Sequence, residues 1–195
     1  MSRPQDIQIL EDQWSSVDCD VKALLTGLTA EQGALRPSPA AWSIAECLDH
    51  LAITNRVYIA AMQAAAIHAR ARGRLRKGPA LPGRFGRWFV GTLEPPVKPR
   101  TKMKAPKAIL PGSAPVLSDA AQSFSRSHQE VRAFLLANAD LDLAGIVFTN
   151  PLLRIIHFSL ATGLNNILAH ERRHLWQARR VRQLLEGIPL DNIST

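Results

Sequence analysis

Two histidines separated by one helical turn are the residues of this chain best suited to metal chemistry. His170 and His174 lie in the segment His-Glu-Arg-Arg-His. In the surrounding stretch, the residues expected to face the core recur at alternating steps of three and four. That spacing is typical of the helix face that packs against other helices, so both imidazoles should point inward. Two neutral imidazoles one turn apart can both reach one divalent cation at roughly 2.0–2.1 Å. The pair therefore predicts half of a metal site.

A third ligand must come from another helix, and His50 is the best candidate, at the edge of the apolar face of the second helical pattern. His128 occupies a core-facing position of the third pattern and could be a fourth ligand, a proton carrier or a hydrogen-bonded core histidine; we favour the last. Gln177, one turn beyond His174, could support a ligand or bind a substrate, or simply be a polar interruption. Glu171 could orient a ligand or lie at the edge of the groove.

The segment His-Glu-x-x-His is also the signature of zinc proteases, which need a third protein ligand, usually further along the chain. Glu186 follows His174 by 12 residues in the same helical pattern. At 1.5 Å per residue it would lie about 18 Å away. No alternating strand pattern is evident that could align a peptide beside the cleft. We therefore do not favour a protease.

The elements that must position these histidines are four long helical patterns, and no convincing strand pattern accompanies them. Ser43 and Glu46 form a capping-box signature at the start of the second. The patterns cover about 6–28, 43 to 70–73, 118–135, and 152 or 159 to 186. We predict an all-α protein, a four-helix bundle in a single domain of residues 1–195, with the site in the core between facing helices.

A basic, proline-rich link of about 73–117 separates the second and third helices. It contains most of the prolines, eight of 13. Residues 70–107 hold 12 of the 24 Lys and Arg residues and one acid, Glu94, which gives +11, whereas the rest of the chain carries −3. The net positive charge of the chain therefore comes from one inserted segment and says little about the fold.

Within this link, a cluster of Phe85, Trp88, Phe89 and Val90 is unusual for a disordered segment. We expect a short helix near 84–92 that packs on the bundle. Mobile, protease-sensitive arms should flank it at about 70–82 and 95–105.

Cysteine content and hydropathy indicate the cellular compartment in which the protein is expected. Cys19 and Cys47 lie in helical patterns and form no framework of disulfides, which favours a reducing, cytoplasmic compartment. The chain has no signal-like start and no run of about 18 apolar residues, so we expect no association with a membrane.

The sequence resembles the DinB-like superfamily, which includes bacillithiol transferases, over about residues 5–186. Three segments carry the resemblance: Trp42-Ser-Ile-Ala-Glu-Cys-Leu-Asp-His50-Leu51, His170-Glu-Arg-Arg-His174-Leu-Trp-Gln177-Ala-Arg-Arg-Val, and the weaker Lys102-Met-Lys-Ala-Pro106. The resemblance implies an up-down-down-up bundle with a long link between the second and third helices. It also implies His50, His170 and His174 as ligands of zinc or nickel, and a homodimer.

A site of three histidines with an open position is typical of catalytic rather than structural metal centres. The first hypothesis is a metal-dependent enzyme acting on a small molecule, either a thiol S-transferase that uses a low-molecular-weight thiol or a hydrolase. Glu171 or His128 would carry a proton in the hydrolase. The alternative is a non-catalytic metal-binding or stress-response interaction protein. A nucleic-acid-binding protein that uses the basic link is a third, less favoured hypothesis.

Overall fold

A computed structural model describes residues 3–96 and 105–187 of the chain. In these ranges it contains six α-helices, one 3₁₀ turn and one β-hairpin. In chain order they are α1 (Gln5–Leu25), α2 (Ala30–Ala34), α3 (Ile44–Ala71), α4 (Arg84–Gly91), the 3₁₀ turn (Lys107–Ile109), α5 (Leu117–Ala137), β1 (Val147–Thr149), β2 (His157–Ser159) and α6 (Leu160–Leu185). The chain is mostly helical, as predicted.

The ends of the two site-bearing helices follow from local chemistry. Ser43 caps α3 by accepting a hydrogen bond from the Glu46 backbone N–H, and the Glu46 carboxylate accepts one from the Ser43 N–H, which is the predicted capping box. Ser159 caps α6 by accepting from the Thr162 N–H at 3.1 Å. Beyond the C-terminus of α6, Gly187 adopts φ +70°, a left-handed conformation that suits glycine.

Helices α1, α3, α5 and α6 form the bundle, and both α1 and α3 pack against α5 and α6. Side-chain contacts fix the directions. Arg172 and Arg182 of α6 contact residues 13 and 24 of α1, so these two helices are parallel. Arg56 and Arg70 of α3 reach Ser123 and Ala137 of α5, so these are parallel too.

His50 of α3 meets His170 of α6. Tyr58, two turns further along α3, lies beside Asn166, one turn earlier in α6. These two helices are therefore antiparallel. The order is up-down-down-up, as the resemblance implied, and two consecutive parallel helices require a link that returns along the bundle. The long connection between α3 and α5 supplies that return.

The core lies between these four helices and is built from the predicted apolar stripes. Ile7, Leu10, Trp14 and Val17 of α1 are buried, and Leu48, Leu51 and Met62 of α3 are buried with them. None of the helices in the described part of the chain is long and apolar enough to cross a membrane.

Two elements were absent from the sequence predictions. The short helix α2 was not predicted, although Thr29 and Gln32 form a second capping box at its start. The hairpin pairs Phe148 with Phe158 in an antiparallel register. Its strands have three residues each, too few for an alternating pattern to be recognised. Because β2 ends at Ser159, the last helix begins at Leu160, the later of the two predicted starts.

The link contains the expected short helix, α4, which packs against α6. The segment before α4 is not the free arm that we expected. Arg76 forms an ion pair with Asp6, whose carboxylate also accepts from the Ala80 N–H at 2.6 Å, and Arg70 pairs with Asp140. Most of the second expected arm, at 95–105, lies outside the described residues, as do Lys102 to Lys104 of the third resemblance segment.

Candidate metal centre

His50 of α3 and His170 and His174 of α6 form one cluster in the core. Each offers a ring nitrogen, and the three nitrogens all lie within 4.8 Å of one another. The Nε2 atoms of His50 and His170 are 3.2 Å apart, and the ring of His174 lies 4.6 Å from each of the other two, centroid to centroid. The antiparallel packing of α3 on α6 thus brings together the three histidines that the sequence proposed.

The link fixes the orientation of His50 through the ring nitrogen that points away from the cluster. Its Nδ1 lies 2.6 Å from the carbonyl oxygen of Ile109. A carbonyl can only accept, so the neutral His50 ring donates from Nδ1 and presents the lone pair of Nε2 to the other histidines. The Asp49 carboxylate accepts from the Gly112 N–H at 2.8 Å and holds the same part of the link against α3.

His174 is oriented in the same way by its own helix. Its Nδ1 lies 3.1 Å from Oε1 of Gln177, one turn further along α6. With Nδ1 donating to that amide oxygen, Nε2 is left as the acceptor that faces the cluster. Gln177 therefore contacts a candidate ligand directly.

Trp42 covers one side of the cluster. Its indole stacks on the His174 ring, with centroids 5.7 Å apart at 28°, and tilts against the His50 ring at 4.7 Å. Trp42 is partly exposed and His170 is partly exposed, whereas His50 and His174 are buried. Access from solvent is therefore at the edge formed by Trp42 and His170.

The surroundings keep the three rings neutral. Burial lowers the pKa of His50, and burial together with the charges of His50 and Arg173 lowers the pKa of His170 to about 3. Burial, helped by the other two histidines and Arg173, also lowers the pKa of His174. Neutral imidazole is the form that binds a metal.

The arrangement fits a divalent cation. Two nitrogens bound tetrahedrally at 2.0–2.1 Å would be about 3.3 Å apart, close to the 3.2 Å between the Nε2 atoms of His50 and His170. If both of these nitrogens present lone pairs, they repel each other, and only a cation or a proton between them can remove that repulsion. A set of three neutral imidazoles suits zinc, nickel, iron or copper.

Glu171 and His128 form a second buried pair on another side of α6. Both side chains are inaccessible to solvent, and Nδ1 of His128 lies 3.1 Å from each Glu171 oxygen. Asn55 donates to Glu171 Oε1 at 2.8 Å. Within the described residues, neither Glu171 nor His128 contacts the three clustered histidines by a recorded hydrogen bond or ion pair.

Two arginines of α6 connect the cluster to the link. Arg172 forms an ion pair with Glu94, the one acid among residues 70–107. Arg173 reaches the Thr92 carbonyl at 3.4 Å, and burial lowers its pKa. Because its charge acts on both His170 and His174, Arg173 provides a positive neighbour to the site.

Sequence reasoning missed Trp42, the Ile109 carbonyl and Asn55 as parts of the site region. Trp42 stood in a segment of the resemblance, which was a usable signal. The Ile109 carbonyl carries no side-chain signal at all, and Asn55 was read as one member of the α3 packing seam. Their roles depend on contacts between residues 59 and 116 positions apart.

Replacing Gln177 with Leu should weaken metal binding at least about tenfold, because groups that orient a ligating histidine typically contribute 10–100-fold to metal affinity. Gln177→Glu, which keeps an oxygen acceptor for His174 Nδ1, should retain affinity near that of the unmodified chain. Competition with a chelator of known zinc affinity measures both variants. Equal affinities for the Leu and Glu variants would contradict this role.

Comparison with known proteins gives one result for the family. A family model described as the DinB superfamily matches residues 13–178. No curated protein and no solved structure matches the chain significantly. The matched region runs from within α1 to α6 and includes all three clustered histidines.

Proposed function

The chain belongs to the DinB superfamily, and on that premise we propose that it is a metal-dependent enzyme acting on a small molecule. The reaction is a thiol S-transfer or a hydrolysis. A homodimer and a cytoplasmic location, which the family resemblance and the cysteine content suggested, belong to the same proposal. Light scattering at tens of micromolar protein tests the dimer.

One observation supports the proposal above all: three imidazole nitrogens converge, and two of the three rings are held by a hydrogen bond at the other ring nitrogen. Ile109 holds His50 and Gln177 holds His174, so the ligand set is preorganised before any metal arrives. Three protein ligands leave at least one coordination position for a water molecule or a substrate, which is typical of catalytic zinc sites. A bound divalent metal would supply Lewis acidity, or lower the pKa of a bound thiol or water.

The surrounding residues suit a small anionic substrate. Arg173 places a positive charge beside His170 and His174. That charge would attract a carboxylate or a thiolate and help to orient it. Trp42 covers two of the rings with an apolar surface, which limits water at the site and strengthens electrostatic interactions there. These features favour a low-molecular-weight thiol that carries carboxylates as one substrate.

Glu171 and His128 are more distant from this chemistry than the sequence suggested. Their side chains bind each other, Glu171 also accepts a hydrogen bond from Asn55, and both are fully buried. We therefore assign them a supporting role: the pair ties α6 to α5 and to α3 and so fixes the rotation of the helix that carries His170 and His174. Proton transfer in the hydrolase then needs another group or solvent.

The test begins with metal analysis of protein purified without an affinity tag. The metal-loaded protein is then offered thiols with an electrophile, and in parallel a panel of esters and amides. Thiol consumption or hydrolysis that disappears in His170→Ala and persists in His68→Ala, an exposed histidine of α3, supports the proposal. Stoichiometric metal uptake without turnover would favour the non-catalytic metal-binding alternative.

A further inference from the structure

Helix α4 packs part of its apolar surface on the bundle and leaves the rest exposed to solvent. Phe89 contacts Phe158 of the hairpin with ring centroids 5.0 Å apart. Gly86 is buried against Thr162 of α6, where there is no room for a Cβ atom. This inner face accounts for the docking of α4.

Two aromatic side chains of α4 and one leucine in the turn before it are exposed to solvent. Leu81, Phe85 and Trp88 are 56%, 52% and 65% exposed. Phe85 and Trp88 are one helical turn apart and in contact, with ring centroids separated by 5.8 Å. The structure thus divides the aromatic cluster of this segment between the bundle and the solvent. An exposed apolar patch of this kind marks an interaction surface.

The residues around this patch are exclusively basic or uncharged. No acid occurs between residues 70 and 93. Lys77, Arg84 and Arg87 are exposed, and in the part of the chain that the structure describes none of them forms an ion pair. The patch therefore combines exposed rings with unneutralised positive charge.

We propose that α4 and the turn before it dock on an anionic lipid surface, with Leu81, Phe85 and Trp88 entering the headgroup region and Lys77, Arg84 and Arg87 contacting the lipid phosphates. Aromatic and aliphatic side chains flanked by basic residues are typical of segments that lie in a membrane interface. The earlier expectation of no membrane association rested on the absence of a spanning segment, which does not bear on surface contact.

A single-stranded nucleic acid is the competing partner for exposed rings among basic residues. Two observations favour lipid. Leu81 is exposed in the turn just before α4, and an aliphatic side chain has no role in base stacking. In addition, Phe85 and Trp88 already contact each other at 5.8 Å, which leaves no space for a base between them.

The experiment measures co-sedimentation of the full-length protein with sucrose-loaded vesicles, either purely zwitterionic or containing about 30% phosphatidylserine or phosphatidylglycerol. We expect binding to the anionic vesicles only, with affinity that falls as salt rises. The double variant Phe85→Ser/Trp88→Ser should lose at least tenfold in affinity, and so should Arg84→Gln/Arg87→Gln. Both alter exposed side chains and should leave helicity unchanged by circular dichroism.

Leu184→Glu is the matched control, because Leu184 is also an exposed large apolar residue, 49% accessible. It lies on α6, 22 residues beyond Thr162, which is about 33 Å along the helix axis. Its affinity for vesicles should equal that of the unmodified chain. The proposal is overturned if no vesicle binds, if Phe85→Ser/Trp88→Ser binds as well as the unmodified chain, or if a single-stranded oligonucleotide binds tightly through the same residues while vesicles do not.

Discussion

Replacing His170 or His174 with Ala should abolish stoichiometric metal binding, with a loss in affinity of at least about 1,000-fold. Removing one of three ligands deletes a metal–nitrogen bond and leaves two imidazoles, which is too few to form a site that competes with a chelator. Equilibrium dialysis with zinc and nickel, followed by elemental analysis, measures this loss. The fold should survive, because the change removes a neutral ring without leaving a buried charge, and alanine is the most favourable residue for a helix interior.

His68 and His157 provide controls for this experiment, because both are exposed and neither belongs to the cluster. Substituting either one with Ala should leave metal stoichiometry unchanged. His50→Ala should behave like the two α6 variants. Full metal occupancy in a His170→Ala/His174→Ala double variant would show that the metal, if any, binds elsewhere.

Replacing Glu171 with Ala should lower the free energy of unfolding by about 3–5 kcal/mol, because it leaves His128 in the core without its partner. Neither side chain is accessible to solvent. Asn55 also loses the acceptor of its 2.8 Å hydrogen bond. Urea unfolding followed by circular dichroism measures the change. Replacing both Glu171 and His128 with Leu should cost less than removing Glu171 alone, since the buried imidazole is removed together with its partner.

Asp18 offers the control for this buried pair. It lies 3.4 Å from Nε2 of His128 but its side chain is 40% exposed, and it also pairs with Arg132. Asp18→Asn should therefore cost no more than about 1 kcal/mol. A cost for Glu171→Ala as small as that of Asp18→Asn would contradict the stabilising role of the buried pair.

The same pair should make stability depend on pH. Burial alone would lower the pKa of His128, but the hydrogen bond and charge of Glu171 and the charge of Asp18 raise it overall. A raised folded-state pKa means that the stabilisation is fully present below the unfolded value of about 6.5 and is lost as pH rises through the folded value. The three clustered histidines have lowered pKa values, so their effect is the opposite: they reduce the stability of the fold as pH falls.

The comparison that isolates His128 is the difference in stability between the unmodified chain and His128→Gln. That difference should be largest near pH 5.5 and should shrink towards pH 9. A difference that is constant across this range would show that the His128–Glu171 contact does not depend on the charge of the imidazole.

Much of the fold was available from local sequence. Spacing of three and four identified the four bundle helices, and capping chemistry at Ser43 identified the start of the second. The hairpin and α2 were missed because elements of three to five residues are too short to show a period. They form where tertiary contacts, such as Phe158 against Phe89, stabilise them.

The sequence by itself determined that His170 and His174 share one inward face, because helical spacing is a local property of the backbone. Only the tertiary structure decided what that face meets. The packing of α3 on α6 brought His50 to within 3.2 Å of His170, and the return of the link placed the Ile109 carbonyl behind His50. Helix packing also directed Glu171, one residue from His170, to a different partner, His128. Neighbours on a helix point about 100° apart, so each takes partners from a different helix, and those partners are set by packing rather than by spacing.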